Sequence, residues 1–155
     1  EAGLNLVLTR RTDHLRGHSG QISFPGGRRD PQDESFAATA LRETCEELGL
    51  CDAPFEIIGP LSPLYIPPSN FEVHPTVAAL LSRPDFQPNP EEVAEILIFA
   101  VDALLDTRYK SQEIWVRNGI SISIPFYAVN QHKVWGATAG MLSELEHRLR
   151  VVTGR

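Results

Sequence analysis

One stretch limits the folds open to this chain more than any other: the run from Ser35 to Gly49, which reads as a single helix with one charged side. Asp33 or Ser35 can cap the free N–H groups at its start, and Gly49 is a natural residue to end it. Ala37, Leu41, Thr44 and Leu48 recur at helical spacing and predict one core-facing stripe. At about 100° per residue, Glu43, Glu46 and Glu47 lie within roughly a quarter-turn of each other and roughly opposite that stripe. The helix is expected to bury one side and to point three carboxylates from the other.

Like charges at this spacing repel by a few tenths of a kcal/mol per pair on an exposed helix. A hard divalent cation, Mg²⁺ or Mn²⁺, would offset the repulsion, because such ions take carboxylate oxygens and leave positions for water and phosphate. A solvated acidic face with Arg42 as partial counter-ion accounts for the charges alone equally well. The upstream turn Phe24-Pro25-Gly26-Gly27-Arg28-Arg29-Asp30 shifts the balance, since glycines there let backbone approach a ligand or another backbone closely.

Around this helix the chain alternates short strands with turns. Leu4 to Thr9, Phe55 to Ile58, Val73 to Leu81, Ile96 to Val101 and Phe126 to Val129 read as strands. Residues 13 to 33 and the proline-rich run Pro63 to Ser69 read as loops. Glu113 to Arg117 and Ile120 to Ile124 flank Asn118-Gly119, a strong hairpin signal. A second helix is expected from about Thr138 to Arg150, with Leu142, Leu145 and Leu149 as its apolar stripe. Strands joined by loops and hairpins, with two long helices, predict a mixed β-sheet between helices in one α+β domain spanning 1–155.

The net charge of −6 disfavours a nucleic-acid partner, and no apolar run approaches the ~20 residues that cross a bilayer. Cys45 and Cys51 lack metal-site spacing and are expected to be reduced thiols in a cytoplasmic protein. The first residue is Glu1, with a strand following almost at once, so a preceding segment is expected in the natural chain.

Gly27, Glu34 and Arg42-Glu43-Thr44-Cys45-Glu46-Glu47-Leu48-Gly49-Leu50 together resemble the Nudix box. Six residues separate Gly27 from Glu34 where the general box has five, and Thr44 sits where an aliphatic residue is usual. The resemblance implies an α/β/α sandwich and hydrolysis of nucleoside diphosphates linked to another group. It implies Glu43 and Glu47 as principal metal ligands and Glu46 as a further ligand or helper. Arg42 and Glu34 would orient the ligating carboxylates.

Leu8-Thr9-Arg10-Arg11-Thr12, Arg16, Gly20 and Phe24-Pro25-Gly26-Gly27 resemble the motif of the coenzyme A diphosphatase branch. Val134-Trp135-Gly136-Ala137-Thr138-Ala139 is similar to the start of that branch's last helix. The products implied are 3′,5′-ADP and 4′-phosphopantetheine. Gly26, Gly27, Arg11, Arg16 and Arg28 are the expected substrate-binding residues, with Arg29 adding positive charge. Surface pairing of these arginines with Asp13, Asp30, Asp33 or Glu34 is the plainer alternative for each. Candidates for general base are Glu46, Glu92 and Glu95. ADP-ribose, dinucleotides or nucleoside triphosphates remain alternative substrates, and a non-catalytic nucleotide-sensing module is a further alternative. A homodimer is compatible with the sequence.

Overall fold

The computed structural model describes residues 3–14 and 20–155. In chain order its elements are β1 (Asn5–Arg11), β2 (Ile22–Ser23), α1 (Phe36–Leu48), β3 (Glu56–Pro60), β4 (Leu64–Ile66), β5 (Phe71–Val73) and β6 (Thr76–Ala79). There follow β7 (Val93–Ala100), α2 (Val101–Leu104), β8 (Lys110–Arg117), β9 (Ile120–Val129), β10 (His132–Val134) and α3 (Gly136–Thr153). The α+β class is as expected. Among the described residues the strands form four small sheets, ordered β2-β1-β7, β10-β9-β8, β3-β6 and β4-β5, and the pairings within them are antiparallel.

The core forms where the apolar faces of β1, β7 and β9 meet α3. Leu8, Leu97, Phe99, Tyr127, Val129, Val134 and Leu142 are buried together, with Leu145 and Leu149 packed against them. Area removed from water by such side chains, at about 25 cal/mol per Å², is the main force holding the sheets together. The Thr138 hydroxyl, buried in the first turn of α3, donates to the Ile22 carbonyl at 3.0 Å and so fastens the helix start to β2.

The ladder of β1 on β7 runs from Asn5↔Ala100 to Arg11↔Val93, with a bulge between Arg10 and Arg11. Beyond the bulge Thr12 donates its N–H to the Glu92 carbonyl and its hydroxyl to the Glu91 carbonyl, at 3.0 and 2.9 Å. A bulge bends a strand and redirects a side chain. Here it sets Arg11 beside the turn that carries Glu92.

Several expectations need correction. The proline-rich loop contains β4 and one 3₁₀ turn, and the strand expected over Val73 to Leu81 is divided between β5 and β6. Phe126 to Val129 continues β9 without a break, Pro125 notwithstanding, and α3 begins two residues earlier than Thr138. Cys45 and Cys51 are not free thiols: they form a disulfide, with Cα atoms 4.3 Å apart. Gly49 takes a left-handed conformation, φ 72°, and returns its N–H to the Cys45 carbonyl at 2.8 Å. That reversal carries Cys51 back onto the last turn of the helix, which spacing along the sequence does not reveal.

Candidate active site

Ser35 caps α1, accepting the Ala38 N–H at 3.0 Å, and frees Asp33 for another task. The helix is not turned as its apolar stripe suggests. Leu48 is buried, but so are Thr39 and Glu47, while Leu41 is only half-buried. The three glutamates therefore have three environments. Glu47 is 4% exposed, Glu43 is largely covered, and Glu46 reaches half into solvent. The cover comes from the glycine turn. The Gly26 N–H bonds to the Glu47 carboxylate, and a Cβ on Gly27 would lie 2.4 Å from the Glu43 carboxylate carbon. A side chain at position 27 would displace the Glu43 carboxylate.

Arg42 organises these groups. Its Nε and Nη2 grip Asp33 at 3.1 and 3.0 Å, and its Nη1 donates to Glu43 and Glu46 at 3.0 and 3.1 Å. Nη2 also holds the Arg28 carbonyl at 2.9 Å, which pins the turn after Gly27. Asp33 further accepts the Thr39 hydroxyl and the Asp30 N–H, both at 2.9 Å. The Arg42 guanidinium, then these other donors, hold its carboxyl well below the usual range. The carboxylate paired with Arg42 is thus Asp33, whereas Glu34, expected there, is exposed and has no side-chain bond among the described residues. The signal was present in the spacing: Asp33, not Glu34, follows Gly27 after five intervening residues. Asp33→Asn is expected to lower divalent-cation affinity by roughly 10–100-fold, as removal of an orienting carboxylate does elsewhere. Isothermal titration with Mn²⁺ measures it, and an unchanged affinity would assign Asp33 to fold stability alone.

Glu47 titrates at about 7 rather than 4.5; burial is the main cause, and the charges of Glu92 and Glu43 add to it. Burial likewise raises Glu43, again with Glu92 contributing. Glu92 is thus near enough for its charge to raise both Glu43 and Glu47, and the Arg11 charge partly opposes that rise at Glu47. The loop before Glu92 is bound to the end of α1. Gln87 N–H donates to the Leu48 carbonyl and Asn89 N–H to the Glu47 carbonyl, each at 2.9 Å. Asn89 Nδ2 then holds the Glu92 carboxylate at 3.2 Å. Glu95 is placed elsewhere, paired with Arg10 and His132 at 3.5 and 3.0 Å.

The candidate phosphate-binding residues are only partly gathered. Arg11 Nε is buried and has no hydrogen-bond partner among the described residues. Arg28 lies over the Phe71 ring at 5.1 Å, and Arg29 over Phe36 at 5.0 Å. Phe36 in turn stacks on His74 with ring centres 3.7 Å apart, beside an apolar cleft of about 370 Å³ lined by Ile57, Leu61 and Pro63. Neither Arg28 nor Arg29 has a carboxylate partner among the described residues, contrary to the plainer surface-pairing alternative. Arg16 lies outside the described residues. Phe36, Phe71 and His74 had no sequence signal, because only tertiary contact brings them to the arginines.

Residues 1–118 match the family model described as the NUDIX domain. The chain is a Nudix hydrolase. Relatives named uncharacterized Nudix hydrolase NudL come from Yersinia enterocolitica and Yersinia pestis. They are 38% and 37% identical over 147 residues, covering 94% of this chain and 74% and 73% of theirs. Among solved structures, the NUDIX domain of Shewanella oneidensis NrtR, crystallised with ADP ribose, superposes with a TM-score of 0.56. It is 17% identical and covers 95% of this chain and 79% of that one, a likeness of fold. Nudix hydrolases generally use divalent cations and act on small nucleotides. Among the described residues, no three His, Cys, Asp or Glu side chains form a group ready to hold a metal ion. Nor is any helix long and apolar enough to cross a membrane.

Proposed function

We propose that this Nudix hydrolase splits the diphosphate of coenzyme A into 3′,5′-ADP and 4′-phosphopantetheine, with Mg²⁺ or Mn²⁺ as cofactor. The observation that carries the reading is Arg11. It belongs to the segment resembling the coenzyme A branch, and it stands at the carboxylate cluster with a buried Nε still to be partnered. The residues suit a hard divalent cation: Glu47 is buried, close to Glu43 and Glu92, and has no ion pair among the described residues. Such a group is costly as an anion without a compensating cation.

Glu43 and Glu47 would hold the cation, with Glu46 as an accessory group and Arg42 fixing their orientation. When bound, the cation polarises the phosphoryl oxygens and offsets the charge that builds on them. Arg11 and Arg28 engage phosphate oxygens, while the Gly26 N–H helps keep the Glu47 carboxylate in place and Gly27, lacking a side chain, leaves room for that of Glu43. Glu92 takes a proton from the attacking water as its oxygen bonds to one phosphorus. The P–O bond to the bridging oxygen breaks, and the second phosphate leaves with that oxygen.

Comparison of kcat/KM for coenzyme A, dephospho-coenzyme A, NADH and ADP-ribose tests the substrate. Coenzyme A should lead. Arg16→Ala should hurt it more than the dephospho form, by ~1.5–3 kcal/mol, or roughly ten- to more than a hundredfold. ADP ribose, the ligand of the Shewanella structure, is the competing substrate. If it or NADH comes out clearly ahead, the coenzyme A reading fails and general Nudix hydrolysis stands.

A further inference from the structure

The hairpin of β8 and β9 is more apolar than its position in the fold explains. Trp115, Ile122 and Ile120 share one face, because Trp115 pairs with Ile122 and Arg117 with Ile120. All three are exposed, as is Trp135, whose ring meets Trp115 edge-on at 5.1 Å. On the opposite face Ile114 and Val116 are 61% and 71% exposed. Exposed apolar residues on both faces of one ribbon mark an interaction surface rather than ordinary scatter.

Among the described residues β8 is also the open edge of its sheet, in the order β10-β9-β8. Asn118 and Gly119, at φ 52° and 76°, form a tight two-residue turn closed by the pair Arg117↔Ile120. From that closing pair the antiparallel alternation sets the hydrogen-bonding direction of every residue on the strand. Arg117, Trp115 and Glu113 bond inward to β9. Val116, Ile114 and Gln112 present their N–H and C=O groups off the open edge. Such an edge is a template for another strand.

From this edge and its charges we infer that a second copy of the chain docks here. The two β8 strands run antiparallel about a two-fold axis at Trp115 and form one continuous six-stranded sheet. In that register Ile114 and Val116 exchange backbone hydrogen bonds with Val116 and Ile114 of the other copy. Trp115 faces its own equivalent, and Glu113 lies opposite Arg117 twice. Arg117 has no ion pair among the described residues. Glu113, bound to Lys133 and to Trp115 Nε1 at 2.5 and 2.7 Å, keeps lone pairs for it. Centring the axis on Glu113 would oppose two like charges. Centring it on Ile114 would place Glu113 against Trp115, and centring it on Val116 would leave Glu113 beyond the paired strands. Only the Trp115-centred register matches charge with charge and apolar with apolar.

Sedimentation equilibrium of the whole chain is the test. The parent should show twice its 17.2 kDa mass. Glu113→Arg and Arg117→Glu should each weaken the dimer by at least ~tenfold, and the double exchange should restore it. Ile114→Pro removes only an outward N–H, so it should give a monomer with the parent's circular dichroism and hydrolysis rate. A parent that stays monomeric to ~100 µM overturns the inference, as this is well above the dissociation constant of a specific interface. So does a dimer indifferent to Ile114→Pro, which would use another surface, or one that the double exchange fails to restore.

Discussion

Glu47→Gln is expected to remove nearly all hydrolysis while making the cation-free protein more stable. The carboxylate is 4% exposed, and its buried surroundings raise its titration to about 7 from an ordinary 4.5. A raised acid binds its proton more tightly folded than unfolded. Its contribution is fully present below pH ~4.5 and is lost as pH rises through ~7, a difference of roughly 3 kcal/mol. Glutamine carries no charge and keeps an oxygen for the Gly26 N–H. At pH 8 it should therefore gain ~1–3 kcal/mol over the parent, and at pH 4.5 almost nothing. Mg²⁺ should reverse the order, because a ligand bound only by the folded state adds stability in proportion to its affinity. Urea unfolding at both pH values, with and without Mg²⁺, measures this. An equal gain at both would refute the burial argument, and a parent-like rate in saturating Mg²⁺ would refute the ligand role.

Glu92→Gln should lower kcat by ~10²–10⁴-fold with little change in cation affinity, the range for loss of a general base. The carboxylate adds to the negative field at both Glu43 and Glu47, and its backbone carbonyl is fixed by Thr12 N–H at 3.0 Å. It stands close enough to Glu43 and Glu47 for its charge to act on both. A kcat near the parent's would pass the proton to Glu46, the remaining candidate at the site, since Glu95 is held by Arg10 and His132. A large fall in Mn²⁺ affinity would instead make Glu92 a ligand.

What the sequence discloses follows what is local. The carboxylate helix, its Ser35 start and its Gly49 end are governed by capping and periodicity within one segment, and the structure agrees to within a residue. The Asn118-Gly119 hairpin is equally local. The depth of Glu47 is different, because it depends on the turn at Gly26 and the loop at Asn89, two segments that meet only after folding. Helical periodicity placed Glu47 on the polar side because its covering loops contribute nothing to the period. The place of Asp33 is left open by the sequence for another reason. It can cap a helix as well as Ser35 can, and only the contact with Arg42 separates the two roles. The disulfide partners were visible, but the reversal at Gly49 that joins them was not.

The hydrogen bonds from Gln87 and Asn89 to the last turn of α1 bear on how the protein breathes. The segment before Glu92 cannot lift away without releasing the Leu48 and Glu47 carbonyls, so its opening and the fraying of the helix end are one event. Amide hydrogens at 87 and 89 then belong to the same cooperative unit as the helix that carries the carboxylates. A loop of this kind is a fixed wall rather than a lid.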